Sequence, residues 1–235
     1  METLFIHAKS NMDVTLTSEA VKGFKGKVVG IVTSIQLLHA IKKVQEQLPK
    51  YIIAGQVLGC NSYNAENIKD KVDCFLFVGS GEFHPIQVAT RTEKPVFVFN
   101  PATQQFGPLK QKTIDTYLAR KQGSILKFMT AKNIGIIVST KIGQMNFKRA
   151  MELKKNKDKN YYVFVADTLN FNELENFNFI DCWVNTACPR ITDENAGIVN
   201  INDLTDAKAI TLPKIQGNYE IPIWMSKKGM KKEDS

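Results

Sequence analysis

The chain has 235 residues, is 43% hydrophobic and 23% charged, and carries a formal net charge of +8. That is enough apolar material for one large or two small domains with real cores, and too much for a disordered tail. No apolar run approaches the roughly 20 residues a membrane helix needs, and residues 1–10 lack a basic start followed by an apolar stretch, so no membrane span and no secretion signal are expected and the chain is placed in the cytoplasm.

In chain order, residues 1–25 read as extended and polar, with no core of their own. A strand follows at 27–33, then a helix at 34–47, a strand at 74–79, a helix at 84–91 and a strand at 96–100. Residues 110–128 form an amphipathic helix through Ile114, Leu118 and Ile125, weakened in its later half by Gly123. Beyond it come a strand at 134–139, a helix at 143–155, a strand at 161–166, a helix at 170–176 and a strand at 179–185. The strands are rich in Val, Ile and Phe and almost unbroken in apolar character, as strands buried on both faces of a parallel sheet are. Strand and helix taking turns predicts right-handed βαβ units. The fold class is therefore α/β, with two consecutive parallel-sheet βαβ domains at 26–110 and 111–235. No internal repeat of short period is visible, and residues 226–235 read as a disordered basic tail.

The positive balance suits an RNA-rich or acidic partner, or simply a Lys-rich solvated surface. The densest basic stretches, 154–159 and 227–232, carry no interleaved aromatics, so they read as a helix end and a tail and no direct nucleic-acid binding is expected.

In open parallel sheets, ligands bind beyond the carboxyl ends of the strands. Small, polar residues follow several of the predicted strands: Gly79-Ser80-Gly81-Glu82-Phe83-His84-Pro85, Ser139-Thr140-Lys141-Ile142-Gly143-Gln144 and Asn185-Thr186-Ala187-Cys188-Pro189-Arg190. Gly79, Ser80 and Gly81 supply a backbone able to approach a ligand, or form a plain turn. Ser139 and Thr140 either cradle an anion at a helix N-terminus or act as ordinary N-caps. Lys141 neutralises an anion or is solvated. His84 donates to a carboxylate, moves a proton or caps a helix. Arg190 makes a forked contact to a carboxylate or a structural salt bridge.

The four cysteines are Cys60, Cys74, Cys182 and Cys188, with no CxxC spacing among them. In a cytosolic chain, metal or redox roles outrank disulfides. Cys60 and Cys188 fall in loops beside glycine or proline, where a thiol can reach a metal or cluster. Cys74 and Cys182 lie within or at the start of apolar strands and read as buried, inert thiols.

The motifs Gly55-Gln56-Val57-Leu58-Gly59-Cys60, Gly79-Ser80-Gly81-Glu82-Phe83-His84-Pro85, Ser139-Thr140-Lys141 with Gly143-Gln144, and Asn185-Thr186-Ala187-Cys188-Pro189-Arg190-Ile191 occur in that order. The series resembles the archaeal diphthamide-biosynthesis 3-amino-3-carboxypropyl transferase family, from residue 1 to about residue 205. The resemblance implies three related α/β domains around a cleft, usually in a dimer. It implies a [4Fe–4S] cluster held by three cysteines, one from each domain, with the fourth iron position left for S-adenosylmethionine. Cleavage of the sulfur–carbon bond to the methionine side chain yields a 3-amino-3-carboxypropyl radical, which adds to a histidine ring carbon of elongation factor 2. By this match Cys60 and Cys188 are the second- and third-domain ligands. Gln56, Gly79, Ser80, Gly81, His84, Ser139, Thr140, Lys141 and Arg190 are the candidate cofactor-binding residues.

No cysteine precedes Cys60, and residues 1–25 resemble only the last stretch of the family's first domain. A homo- or hetero-oligomer is expected; either a separate polypeptide supplies the third cysteine, or the sequence is a fragment or has a misread start. The alternatives are a non-catalytic partner subunit of that enzyme, a quinolinate-synthase-type cluster dehydratase, and plain ligand binding without iron.

Overall fold

The computed structural model describes residues 6, 8–192 and 197–212, so the tail at 226–235 lies outside the described residues. The chain divides into two compact units between Arg120 and Lys121. Among the described residues no helix is long and apolar enough to cross a membrane.

The first unit contains strands β1 (Val29–Thr33), β2 (Tyr51–Gln56), β3 (Cys74–Val78), β4 (Val96–Asn100) and β5 (Gln105–Pro108). They lie in the order β2-β1-β3-β4-β5, the first four parallel and β5 antiparallel to β4. The central strands β1 and β3 are buried along their whole length, as their unbroken apolar runs require. Among the described residues, α1 (Ser18–Gly23), α2 (Ile41–Gln45), α3 (Tyr63–Glu66) and α4 (Phe83–Thr92) connect the strands or flank them. The expected helix at 34–47 is a tighter 3-10 turn at Ile35–Ala40 running into α2.

The opening segment departs from its extended reading. Thr17 caps α1 by accepting a hydrogen bond from the Ala20 N–H at 3.3 Å. Val14, Leu16, Ala20 and Phe24 are buried against Ile31, Leu76 and Phe99 on one face of the first sheet. The other face is covered by α3 and α4, with Val57, Ala65, Val88 and Ala89 against Val32, Phe75 and Phe77.

The unit boundary falls inside α5 (Gln111–Thr130), which runs through Gly123 without a break. The second unit holds β6 (Asn133–Ser139), β7 (Asn160–Ala166), β8 (Cys182–Asn185) and β9 (Ile198–Asn200), with α6 (Phe147–Lys154), α7 (Phe171–Leu174) and α8 (Ile201–Asp206). The strand order is β7-β6-β8-β9, all parallel. Within the basic stretch 154–159, Lys159 is structural. Its ammonium donates to the Met129 and Ala131 carbonyls at 3.1 and 2.8 Å and sits over the Phe128 ring, closing the end of α5.

The two units are built alike. Leaving aside antiparallel β5, each sheet has its second strand at one edge, then its first, third and fourth. In each, a glycine in the first strand faces an aromatic of the third: Gly30 pairs with Phe75, and Gly135 with Trp183. A Cβ on Gly30 would come 2.6 Å from the Phe75 ring, and one on Gly135 2.3 Å from the Trp183 ring, so only glycine fits under the aromatic. An aspartate just before each third strand holds the start of the first. The Asp73 carboxylate accepts from the Val28 N–H at 2.7 Å, and that of Asp181 from the Lys132 and Asn133 N–H groups at 3.0 and 2.8 Å. The next residue is a buried cysteine in each case, Cys74 and Cys182. No short-period pattern could reveal this likeness, because its copies are whole domains.

Candidate functional site

In each unit the sequence-expected residues gather beyond the carboxyl ends of the parallel strands. In the first unit, β1 and β3 are tied at that end by the buried Thr33 hydroxyl, which donates to the Val78 carbonyl at 2.7 Å. Gln56 ends β2, a strand that the loop reading of residues 55–61 overlooked. Its backbone carbonyl accepts from the Asn64 amide at 2.8 Å, which folds α3 back over the loop. Cys60 sits at the tip of a tight turn. Leu58 N–H donates to the Asn61 carbonyl at 2.9 Å and Asn61 N–H to the Leu58 carbonyl at 3.0 Å, leaving Gly59 and Cys60 between them. Cys60 is exposed.

The Gly79-Ser80-Gly81 segment links β3 to α4. Gly81 has φ 77°, a left-handed backbone that favours glycine and forms the turn. His84 is the second residue of α4, not its cap, and its ring stacks on Phe77 with centroids 5.7 Å apart and planes 9° apart. A Cβ on Gly59 would collide with the Phe83 ring. The Cys60 turn is therefore pressed against the start of α4, which carries His84.

In the second unit a cavity of about 360 Å³ opens at the same end of the sheet, among residues that include Ser139, Lys141, Asp167, Cys188 and Arg190. Apolar walls come from Ile137, Leu169, Phe171 and Ile191. Cys188 is half-buried. Ser139 and Thr140 are not N-caps, because α6 begins only at Phe147 with Asn146 before it. The Ser139 hydroxyl instead accepts from the Lys141 N–H at 3.1 Å, and the Thr140 hydroxyl donates to the Asp167 carboxylate at 3.1 Å.

Asp167 and Thr168 were missed at the sequence level, although they directly follow the strand expected at 161–166. Applying the strand-end rule to that strand would have found them. The cavity thus has two cationic side chains, one carboxylate and one thiol on a partly apolar frame. That set is suited to a zwitterionic ligand carrying an apolar body.

Cys74 and Cys182 begin β3 and β8, at the opposite strand ends, and both are buried. Burial pushes the Cys74 thiol up and that of Cys182 up to about 11, so neither readily forms the thiolate that ligation needs. Within neither unit do three His, Cys, Asp or Glu side chains converge among the described residues as a metal site. Each unit brings one cysteine to the carboxyl ends of its strands, and thiolate is the donor an iron–sulfur cluster takes.

The family model described as "Putative diphthamide synthesis protein" matches residues 1–196. The chain belongs to the diphthamide synthesis protein family. It is 29% identical over 240 residues to a 2-(3-amino-3-carboxypropyl)histidine synthase of Pyrococcus horikoshii, covering 93% of this chain and 67% of that protein. It is 31% identical over 171 residues to the enzyme of the same name from Methanocaldococcus jannaschii, covering 71% of this chain and 46% of that one. A relative from Encephalitozoon cuniculi, 24% identical over 81% of this chain and 58% of its own length, is named subunit 1 of that synthase.

Among solved structures, the crystal structure of Dph2 from Pyrococcus horikoshii with a 4Fe-4S cluster superposes with a TM-score of 0.67 at 28% identity, covering 81% of this chain and 59% of that one. This family member therefore spans about two thirds or less of the length of these relatives. The α/β architecture of parallel-sheet units is the one they share.

Proposed function

We propose that this chain takes part in the first step of diphthamide synthesis, the S-adenosylmethionine-dependent transfer of a 3-amino-3-carboxypropyl group to a histidine of elongation factor 2 in the cytoplasm. The observation that carries the reading is Cys188 on the wall of a cavity that also presents Lys141, Arg190 and Asp167. In this reading Cys60 and Cys188 are thiolate ligands of a [4Fe–4S] cluster, and a third thiolate comes from outside these 235 residues. Cys74 and Cys182 are poor substitutes, being buried at the far ends of their strands.

The cluster, when bound, supplies the electron that breaks the sulfur–carbon bond to the methionine side chain. The chain's own residues bind and orient. Lys141 and Arg190 offer positive charge to the ligand's carboxylate, and Asp167 offers negative charge to its ammonium. Ile137, Leu169, Phe171 and Ile191 exclude water from one side. Gln56, Ser80, Gly81 and His84 serve the nucleotide or amino-acid part from the first unit.

The test is anaerobic reconstitution with iron and sulfide. The chain alone is expected to take up little iron, a polypeptide supplying one more cysteine to restore it, and Cys60→Ser or Cys188→Ser to abolish the restoration. A full cluster and cofactor cleavage by the chain alone would overturn the shared-ligand assignment. His84→Ala and Lys141→Ala should each weaken S-adenosylmethionine binding, and wild-type affinity in both removes those two residues from the site. Undiminished pathway activity in a Cys60→Ser, Cys188→Ser double variant would favour the non-catalytic partner role.

A further inference from the structure

A buried amide, Asn185, and a half-buried one, Asn200, stand side by side behind Cys188. Asn185 and Asn200 are the last residues of β8 and β9 and pair in register across that ladder. Asn185 is 1% exposed, and its side chain makes three hydrogen bonds. Its amide nitrogen donates to the Cys188 carbonyl at 2.9 Å and to the Asn200 Oδ1 at 2.8 Å. Its Oδ1 accepts from the Ala187 N–H at 2.9 Å. Asn200 in turn donates to the Thr192 hydroxyl at 2.9 Å, and that hydroxyl donates to the Pro189 carbonyl at 2.9 Å. The backbone of the cysteine loop is therefore held on both sides of the thiol, at residues 187 and 188 by Asn185 and at 189 through Asn200 and Thr192.

The sheet itself does not ask for an amide at this place. In the first unit the matching slot is Phe77, which pairs with Val32 as Asn185 pairs with Ile137. An aromatic ring fills it there without loss of the strand. Burying an amide is costly unless its polar atoms are all matched, and every bond Asn185 makes goes to the cysteine loop or to the residue that braces that loop.

We propose that Asn185 and Asn200 are positioning residues that set the Cys188 backbone and so present its thiol to the cavity. The proposal rests on the reading of Cys188 as a cluster ligand only for its purpose; its geometry is independent of it.

The test uses the intact chain without metal and follows each cysteine's rate of alkylation by iodoacetamide in native protein, alongside the melting temperature. Asn185→Asp keeps the acceptor for Ala187 and removes the donors to Cys188 and Asn200. Asn200→Leu leaves Asn185 in place and removes its brace. In both variants the Cys188 rate should change by about fivefold or more, the equivalent of the roughly 1 kcal/mol of one neutral hydrogen bond. Cys60 should stay within twofold of wild type and Cys182 should stay protected. An unchanged Cys188 rate, or Cys182 rising together with Cys188, would overturn the proposal, the latter because it reports general loosening of the unit.

Iron uptake in the presence of a third-cysteine polypeptide separates the two ideas. If Cys188→Ser takes up iron as wild type does, the ligand reading fails while the alkylation ratio still decides the amide pair.

Discussion

Gly59→Ala is the sharpest probe of how the Cys60 turn is held. A Cβ there would stand 1.6 Å from Cε1 of Phe83 and 2.3 Å from its Cδ1 and Cζ. Carbon atoms in ordinary contact lie about 3.5–4.0 Å apart, so ring and turn must separate by about 2 Å. Phe83 is half-buried and meets His84 edge to face at 5.6 Å, so the ring can swing outward, but only by giving up that contact and its packing on the turn. Overpacking of this kind costs about 1–3 kcal/mol, and at about 4 °C per kcal/mol for a domain near 100 residues the first unit should melt about 4–12 °C lower. The assay is calorimetry of wild type, Gly59→Ala, Phe83→Ala and the double variant. In the Phe83→Ala background the glycine substitution should cost less than about 1 kcal/mol, because its collision partner is gone. A Gly59→Ala protein as stable as wild type, or one equally destabilised in both backgrounds, would refute the close-approach argument.

Thiol chemistry gives a second test. In native protein near pH 8, Cys60 and Cys188 should be alkylated first, while Cys182, with its thiol pushed up to about 11 by burial, and the likewise raised Cys74 stay protected. Mass spectrometry showing either buried cysteine labelled as fast as Cys60 would contradict the placement. A third test concerns Asp181, whose carboxyl is held below its ordinary value by the hydrogen bonds it accepts from the Asn133 and then the Lys132 N–H. A depressed carboxylate contributes stability above its unfolded pKa and loses it as pH falls through the folded one. Asp181→Asn should therefore melt lower at neutral pH and show a shallower fall in melting temperature toward about pH 3, below the usual carboxylate range. A wild-type slope would show that Asp181 does not couple folding to protons.

Much of the architecture could be read along the chain. The apolar runs that become β1, β3, β6 and β8 named themselves, because a strand buried on both faces has no polar side to disguise it, and β4 was legible from its Val-Phe-Val-Phe run. Cys60 and Cys188 announced their loops through the adjacent glycine and proline. The edge strand β2 was lost because it is only half-buried and leads straight into the Cys60 loop. β5, a Gln-Phe-Gly-Pro segment lying antiparallel, has almost no strand propensity of its own and exists through its pairing with β4. Residues 14–24 looked coreless because partners such as Leu76 and Phe99 lie far along the chain.

The cavity illustrates the same division. Ser139, Lys141, Cys188 and Arg190 were identifiable one strand end at a time. That Asp167 joins them, that the Thr140 hydroxyl turns to it, and that Asn200 braces Asn185 behind the cysteine all depend on which strands lie side by side. Periodicity and turn chemistry are local and survive in one dimension, whereas strand order brings together residues separated by tens of positions. The order β7-β6-β8-β9 emerges only when the whole apolar surface of the unit is buried at once.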